Sequence, residues 1–136
     1  MWTCPKCKRQ FKRKGQTHGC RLISKDALFI RPRPELKLLY QKIAAVAKTF
    51  GLVREETVPP DVIFFKTDST FLAVKVKKDH LDIEFFLDRR ADAPRVLKFL
   101  QTSKHRFVHL VPIDEEEDID DQLVEWMRAS YDLIKK

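Results

Sequence analysis

Hydrophobic residues recur with a helical period near the start of the main body of the chain. Pro34 is suited to the first position of a helix, and Gly51 is suited to ending one. The apolar residues between them are spaced as on one face of an α-helix: Leu36, Leu39, Tyr40, Ile43, Val46, Ala47 and Phe50. The pattern therefore predicts a helix over residues 34–50 whose apolar stripe packs against another element.

An alternating pattern follows this helix and predicts β-strands over residues 53–58, 62–67, 70–77 and 80–88. If Lys78 and Asp79 form the loop of a hairpin, its two strands have a definite register. On one face the apolar pairs are Leu72 with Phe85, Val74 with Ile83 and Val76 with Leu81. On the other face Lys75 meets Asp82, so that cation and anion are paired. A shift by one residue would spoil both faces, which favours an antiparallel meander.

The last third of the chain predicts a short helix, a strand and a longer helix. A start signal at residues 92–94 leads us to expect a helix around residues 94–100. Residues 105–113 are predicted as a strand, in which Pro112 marks either an edge strand or the exit of the strand. The acidic run at residues 114–121 suits the start of a final helix, where the helix dipole favours acids. The inward-facing residues of that helix are predicted to be Ile119, Leu123, Trp126, Met127 and Ile134.

All three cysteines lie in the first twenty residues, together with one of the four histidines. Two residues separate Cys4 from Cys7, and a single residue separates His18 from Cys20. Three thiolates and one imidazole in so short a run are the ligands of a tetrahedral structural zinc site. We therefore expect Cys4, Cys7, His18 and Cys20 to bind zinc. Metal binding would supply the folding energy of this segment, about 10 kcal/mol or more.

A redox role for the Cys4–Cys7 pair is the alternative, with His18 and Cys20 as bystanders. The βαβ context of a thioredoxin-like motif is missing around these residues, which favours zinc. Trp2 and Phe11 are spaced as in the β-hairpin half of a zinc finger with two cysteines and two histidines. Because residues two apart on a helix point away from each other, His18 and Cys20 predict a knuckle or ribbon without a recognition helix.

The positive charge is concentrated at the start of the chain. Residues 1–33 contain ten Lys or Arg and a single acid, a net charge of +9, whereas the remaining residues carry 17 basic and 19 acidic side chains, a net charge of −2. A basic arm on a nearly neutral body suits nucleic acid or an acidic protein surface, although a solvated tail has the same composition. The residues expected to contact nucleic acid are Lys6, Lys8, Arg9, Lys12, Arg13, Lys14 and Arg21.

The length of 136 residues and the apolar content of 43% suit one α+β domain with a small appendage. We expect a zinc segment over residues 1–21, a linker over 22–33 with a helical turn that brings Leu28 and Phe29 to the body, and an α+β domain over 34–136. No run approaches the roughly 18 apolar residues of a membrane span. A charged, cysteine-rich N-terminus is unlike a signal peptide, and an odd number of cysteines is unlike a disulfide framework. We expect a cytoplasmic protein with reduced thiolates.

No catalytic motif accompanies this pattern, and three glycines in all argue against a nucleotide-binding loop. The candidates for a small-ligand or catalytic site are His109, Lys75, Asp82 and Glu84, which alternation could bring to one open face of the sheet. The alternative is that the charges face solvent and that His109 is a partly buried, hydrogen-bonded histidine. We favour that alternative, and a binding module over an enzyme, because no nucleophile–base spacing is present. A purely structural protein, such as a dimer through a sheet edge, is the third hypothesis.

Several short motifs together resemble a known family. They are residues 2–7 (Trp-Thr-Cys-Pro-Lys-Cys), Gln16-x-His18-x-Cys20, Pro34-Glu35-Leu36-x-x-Leu39-Tyr40, Phe71-x-x-Val74, Arg106-Phe107-x-His109, residues 120–123 (Asp-Asp-Gln-Leu) and Ala129-x-Tyr131. In these motifs the chain resembles the bacterial proteins that carry domain-of-unknown-function family 5655, in the version with an N-terminal zinc-ribbon-like segment. The resemblance implies an α+β body with a central antiparallel sheet flanked by helices. It implies no activity.

Overall fold

The computed structural model describes residues 2–5, 10–15, 26–29, 32–58, 61–91 and 93–135. Within these residues the helices are α1 (Glu35–Lys48) and α2 (Asp121–Lys135), and short 3₁₀ turns lie at Asp26–Phe29 and Glu116–Asp118. The strands are β1 (Trp2–Thr3), β2 (Gln10–Phe11), β3 (Arg54–Val58), β4 (Val62–Lys66), β5 (Thr70–Val76), β6 (Leu81–Leu87), β7 (Lys98–Ser103) and β8 (Arg106–Ile113). None of the helices in this part of the chain is long and apolar enough to cross a membrane.

Six strands form one antiparallel sheet in the order β3-β4-β5-β6-β8-β7. The first four make the predicted meander, whereas β8 inserts next to β6 and leaves β7 on the outside. The register between β5 and β6 pairs Leu72 with Phe85, Val74 with Ile83 and Val76 with Leu81. This register and the α+β fold with an antiparallel sheet flanked by two helices are both confirmed.

Both helices cover the same face of the sheet. The ring of Tyr40 on α1 lies 6.0 Å from that of Phe65 on β4, and the ring of Trp126 on α2 lies 5.4 Å from that of Phe85 on β6. Phe65 and Phe85 both pair with Leu72 of β5, so they point to the same side. The largest fully buried side chains include Phe65, Phe71, Phe85, Leu36, Ile43, Ile63, Leu72, Leu81, Ile83, Leu87, Ile113 and Leu123.

The segment before α1 also joins the core. Leu28 is 6% exposed, and the ring of Phe29 lies 5.3 Å from that of Tyr40. The helical turn predicted here is therefore confirmed, as a 3₁₀ turn. After this turn, α1 begins at Glu35. Pro34, the residue before it, already has helical φ and ψ angles. The chain thus enters the domain through apolar contacts made before its first helix.

The helix predicted over residues 94–100 is wrong. Pro94 and Arg95 form a turn, and β7 begins at Lys98. The backbone N–H of Leu97 donates to the carbonyl of Leu110 at 2.9 Å, and this is where the hydrogen bonding between β7 and β8 begins. Pairing with β8, the next strand along the chain, thus overrides a weak local start signal, as tertiary context often does.

Pro112 marks the exit of a strand rather than an edge strand. β8 lies between β6 and β7, and Pro112 pairs with Asp82 of β6. The ladder with β7 reaches only as far as Leu110, so the missing N–H of Pro112 removes no hydrogen bond of that ladder. Of the two alternatives that the sequence left open for Pro112, an edge strand or the exit of a strand, the exit is correct.

A hydroxyl from α2 completes the hydrogen bonding where β5 and β6 separate. Their register ends at Leu72 and Phe85, and the next residues are Phe71 and Phe86. Ser130 is fully buried; its Oγ donates to the carbonyl of Phe71 at 2.5 Å and accepts from the N–H of Phe86 at 2.9 Å. Each of these backbone groups would otherwise be buried without a partner, which proteins rarely tolerate.

We expect Ser130→Ala to lower the free energy of unfolding by about 2–3 kcal/mol, because it leaves a buried carbonyl and a buried N–H unsatisfied. Urea denaturation followed by far-UV circular dichroism measures the loss. Ser103→Ala, at an exposed position of β7, is the matched control and should change stability by about 0.5 kcal/mol or less. Equal losses in the two variants would show that the Ser130 hydroxyl is not a structural bridge.

Candidate functional site

The N-terminal segment contains a small hairpin. β1 and β2 pair antiparallel with Trp2 opposite Phe11, and the rings of these two residues lie 6.0 Å apart. Cys4 follows β1 directly and is only 3% exposed. The hairpin also contacts the main sheet, because the guanidinium of Arg54 on β3 donates to the side-chain oxygen of Gln10. The first of the four predicted zinc ligands therefore lies beside this hairpin and is shielded from solvent.

The other three predicted zinc ligands, Cys7, His18 and Cys20, lie outside the described residues. Among the residues that are described, no group of three or more His, Cys, Asp or Glu side chains could hold a metal ion. Zinc therefore stays a prediction. One thiolate cannot form a tetrahedral site, so the prediction depends on the three ligands whose positions are not described.

Part of the predicted basic surface lies directly after the hairpin. Lys12, Arg13 and Lys14 are exposed and precede Gly15, whose φ of +69° lies in the left-handed region that glycine adopts readily. The turn therefore presents three adjacent cations to solvent. The other predicted contact residues, Lys6, Lys8, Arg9 and Arg21, lie outside the described part of the chain.

Three of the four residues predicted to form a ligand face do lie together. Lys75, Asp82 and Glu84 occupy the face of the sheet opposite the helices. The amine of Lys75 lies 3.0 Å from a carboxylate oxygen of Glu84, and Nε2 of His80 lies 3.1 Å from a carboxylate oxygen of Asp82. Lys75 and Glu84 are thus paired across strands and Asp82 is paired with the residue just before β6, so these charges are engaged with one another or with a neighbour, as on an ordinary polar sheet face.

The grouping of His109 with these charges is wrong. His109 pairs with Phe85 in the register between β6 and β8, so it points to the helix-covered face, and it is fully buried. Its ring stacks on that of Phe85, with centroids 5.5 Å apart and an interplanar angle of 5°. The sequence carried a signal for this side, because His109 alternates in step with the buried residues Val111 and Ile113.

Hydrogen bonds fix the protonation state of His109. Nε2 accepts from the backbone N–H of Ala91 at 2.9 Å, so the ring proton must be on Nδ1. Nδ1 then donates to the carbonyl of Phe107 at 3.0 Å. Burial lowers the pKa of His109, the Phe107 carbonyl opposes that shift, and the charge of Arg89 adds to it. With both nitrogens bonded to backbone, His109 is a neutral packing residue.

A cleft of about 520 Å³ opens at one end of the sheet. Its lining combines one histidine, one arginine and three acids with apolar residues: Asp79, His80, Pro94, Arg95, Leu97, Pro112, Asp114 and Asp118. Mixed charges beside apolar walls are the composition of many ligand sites, so the partners of each charge decide whether any is available.

Arg95 is fully engaged within the chain. Its Nη1 donates to the two carboxylate oxygens of Asp120 at 2.7 and 2.8 Å, and its Nη2 donates to the carbonyl of Asp118 at 2.5 Å. Asp120 in turn accepts from the N–H of Leu123 at 2.9 Å, which caps α2 and lowers the pKa of that carboxyl. Arg95 therefore joins the turn before β7 to the start of α2.

The remaining charges of the cleft are also paired. His80 Nδ1 lies 2.7 Å from a carboxylate oxygen of Asp79, and this hydrogen bond lowers the pKa of Asp79. A hydrogen bond shared with Asp118 raises the pKa of Asp114. Each of these charged groups thus has a partner nearby, and the residues described around the cleft include no nucleophile with a base beside it.

Sequence reasoning missed both Arg95 and Ser130. A single arginine in a loop and a single serine in a helix have no local pattern, and their partners are far away in the chain. Asp120 did carry a signal, since an acid directly before a helical pattern is typical of a helix cap.

Comparison with known proteins adds one finding. A family described as a domain of unknown function, DUF5655, matches residues 25–134. The chain belongs to the DUF5655 family. The match includes the 3₁₀ turn of Leu28 and Phe29 together with both helices and the six-stranded sheet, so it follows the structural unit described above. No curated protein and no solved structure matches the chain.

We expect the stability of this DUF5655 domain to fall below pH 6.5 because of His109. The unfolded chain takes up a proton near that ordinary pKa, whereas the folded chain takes it up only at a lower pH. The free energy of unfolding should then decrease by up to about 1.4 kcal/mol per pH unit between the two pKa values, and His109 should contribute no pH dependence above them. Urea denaturation at several pH values measures the slope.

His109→Gln removes the titrating ring and should flatten this slope, whatever its effect on stability at pH 7. His105→Gln, at an exposed position between β7 and β8, is the matched control and should keep the wild-type slope. An unchanged slope in His109→Gln would mean that another group titrates on unfolding.

Proposed function

We propose that this chain is a zinc-binding module that binds nucleic acid through its N-terminal segment. The observation that carries the proposal is the burial of Cys4 in a hairpin that is followed at once by three exposed cations. Zinc would be held by Cys4, Cys7, His18 and Cys20, and the DUF5655 domain would act as a scaffold for the segment.

The chemistry of the four proposed ligands supports zinc over a disulfide or a redox pair. Thiolate and imidazole are the ligands that zinc prefers, and four of them complete a tetrahedral structural site. Such a site needs no large core around it, which fits a hairpin of two-residue strands. The thiolates must stay reduced, so we also propose a bacterial cytoplasm as the compartment.

The charge of the segment supports a polyanionic partner. Three thiolates and one imidazole bound to zinc carry a charge of −1, which a single lysine would offset. Residues 1–33 carry a net charge of +9, so most of their cations remain available to phosphates. The paired rings of Trp2 and Phe11 would give unpaired bases an aromatic surface beside Lys12. An acidic protein surface is the partner that would remain if nucleic acid does not bind.

Elemental analysis of the untagged protein should find about one zinc ion per chain. Cys7→Ser should lose the zinc and the order of the first twenty residues, because metal binding is the folding energy of that segment. The far-UV helical signal should persist, since α1 and α2 pack on the six-stranded sheet.

Lys12→Ser is the control for this experiment, because it changes the same segment without touching a proposed ligand. It should keep its zinc. Full zinc content in Cys7→Ser would overturn the ligand set, and loss of the whole helical signal would show that the segment and the domain share one core.

We expect fluorescence anisotropy to detect binding of single-stranded DNA and RNA at about 50 mM salt, with a log–log salt slope of about −0.7 for each neutralised phosphate. Lys12→Glu/Arg13→Glu/Lys14→Glu reverses three charges of the arm and should abolish binding. Lys98→Glu/Lys104→Glu reverses cations on the far edge of the sheet and should leave binding unchanged. Equal weakening by both sets, or no binding with zinc present, would contradict the nucleic-acid proposal.

A further inference from the structure

The two edges of the six-stranded sheet differ in their protection. On β3, Glu56 pairs with Lys66 at 3.0 Å and Glu55 pairs with Lys48 at 3.2 Å, and the sequence continues into Pro59. Charges and proline on an edge strand are the usual means of preventing further strand pairing. β7 has no proline and no acid, and all six of its residues are exposed.

Exposed apolar side chains are concentrated at β7. Five large hydrophobic residues are exposed in the described part of the chain, and three of them are Leu97, Phe99 and Leu100, at 62%, 41% and 66%. Phe99 and Leu100 are neighbours on a strand, so they project to opposite faces of the sheet. A strand added beside β7 would therefore find an apolar neighbour on each face.

A groove of about 240 Å³ runs along the start of this edge. Its lining is mixed: the apolar residues Ala91, Ala93, Val96 and Phe99 lie beside Arg90 and Lys98, and the guanidinium of Arg90 lies 4.1 Å from the centre of the Phe99 ring. The groove is large enough for one or two aliphatic side chains. A bulge between Gln101 and Ser103 interrupts the ladder beyond it, which limits regular pairing to residues 97–101.

The charge of this edge determines the kind of partner that it fits. Residues 97–106 contain Lys98, Lys104 and Arg106 and no acid, and all three cations are exposed. Pairing of β7 with β7 of a second copy would bring these like charges together, which is destabilising across strands. Acidic side chains on a partner strand would face them favourably.

We propose that β7 is a docking edge for an acidic, extended peptide segment of another protein, which adds to the sheet as a seventh strand beside residues 97–101. Backbone hydrogen bonds supply the pairing, as in other cases of strand addition. An aliphatic side chain of the peptide enters the groove beside Phe99, and the alternate acidic side chains face Lys98, while Lys104 in the turn after β7 adds to the positive charge of this edge. This surface is separate from the proposed zinc segment, which contacts the opposite edge through Arg54.

The probe is a fluorescein-labelled peptide of about eight residues in which valine and glutamate alternate, a length that suits one strand. Full-length protein is titrated by anisotropy at about 50 mM salt, and amide hydrogen exchange is measured with and without the peptide. We expect the peptide to bind and the amides of residues 97–101 to become protected. The matched peptide of alternating valine and lysine should bind at least about tenfold more weakly, because its charges are reversed.

Two pairs of variants separate this edge from the rest of the chain. Lys98→Glu/Lys104→Glu should weaken binding about tenfold, whereas Lys12→Glu/Arg13→Glu should leave it unchanged. Phe99→Ser should weaken binding because it removes one wall of the groove, whereas Leu38→Ser should not, although Leu38 on α1 is exposed at 67%. Because Lys12→Glu/Arg13→Glu changes the basic N-terminal segment and not β7, it also separates peptide binding from the proposed nucleic-acid binding.

Several results would overturn the docking edge. They are failure of the valine–glutamate peptide to bind, and binding that protects amides other than those of residues 97–101. If these amides are protected in the absence of peptide, and if that protection increases with protein concentration, the edge binds a second copy of the chain. Protection by single-stranded DNA that Lys98→Glu/Lys104→Glu abolishes would assign it to nucleic acid.

Discussion

The register between β5 and β6 is the constraint on which the rest of the fold depends. With Leu72 opposite Phe85 and Lys75 opposite Asp82, one face of the central hairpin is wholly apolar and the other is charged. Both helices must then lie on the same side, because only that side offers apolar surface to α1 and α2. The partners of Phe85 follow from this placement, with Trp126 above its ring and His109 beside it. A histidine in this position belongs to the core, and its chemistry is that of a neutral hydrogen-bonded ring.

In the described part of the chain both helices cover one face of the sheet, so the other face and the two edges must be compatible with water. The open face is occupied by cross-strand ion pairs such as that of Lys75 and Glu84, which make it compatible with water. The β3 edge carries similar pairs and contacts the N-terminal hairpin. The β7 edge is the exception, since it combines exposed apolar side chains with the exposed cations Lys98, Lys104 and Arg106. The described residues therefore place a basic surface near each edge of the sheet, and the two surfaces differ in kind. One is a turn with three adjacent cations beside an aromatic pair, and the other is a strand with a groove beside it.

The elements that the sequence predicted correctly are those whose pattern is local. Residues 74–77 and 81–85 alternate between apolar and charged side chains, so the hairpin and its register could be derived from neighbouring positions alone. β7 could not, because its residues are all exposed and its strand conformation comes from pairing with β8. The side on which His109 lies was available from its alternation with Val111, whereas the predicted grouping placed it on the open face with Lys75. The predicted zinc site rests on spacing and ligand type, and three of its four residues lie outside the described part of the chain.

The bridge made by Ser130 has a consequence for how the molecule comes apart. A terminal helix that packs only through apolar side chains can lift away while the sheet beneath it stays intact. Here the departure of α2 would remove the hydroxyl partner of the Phe71 carbonyl and of the Phe86 N–H, where β5 and β6 separate, so we expect the opening of α2 and of the β5–β6 seam to be coupled. A helix that is bonded in this way to the backbone of the sheet is poorly suited to act as a movable latch.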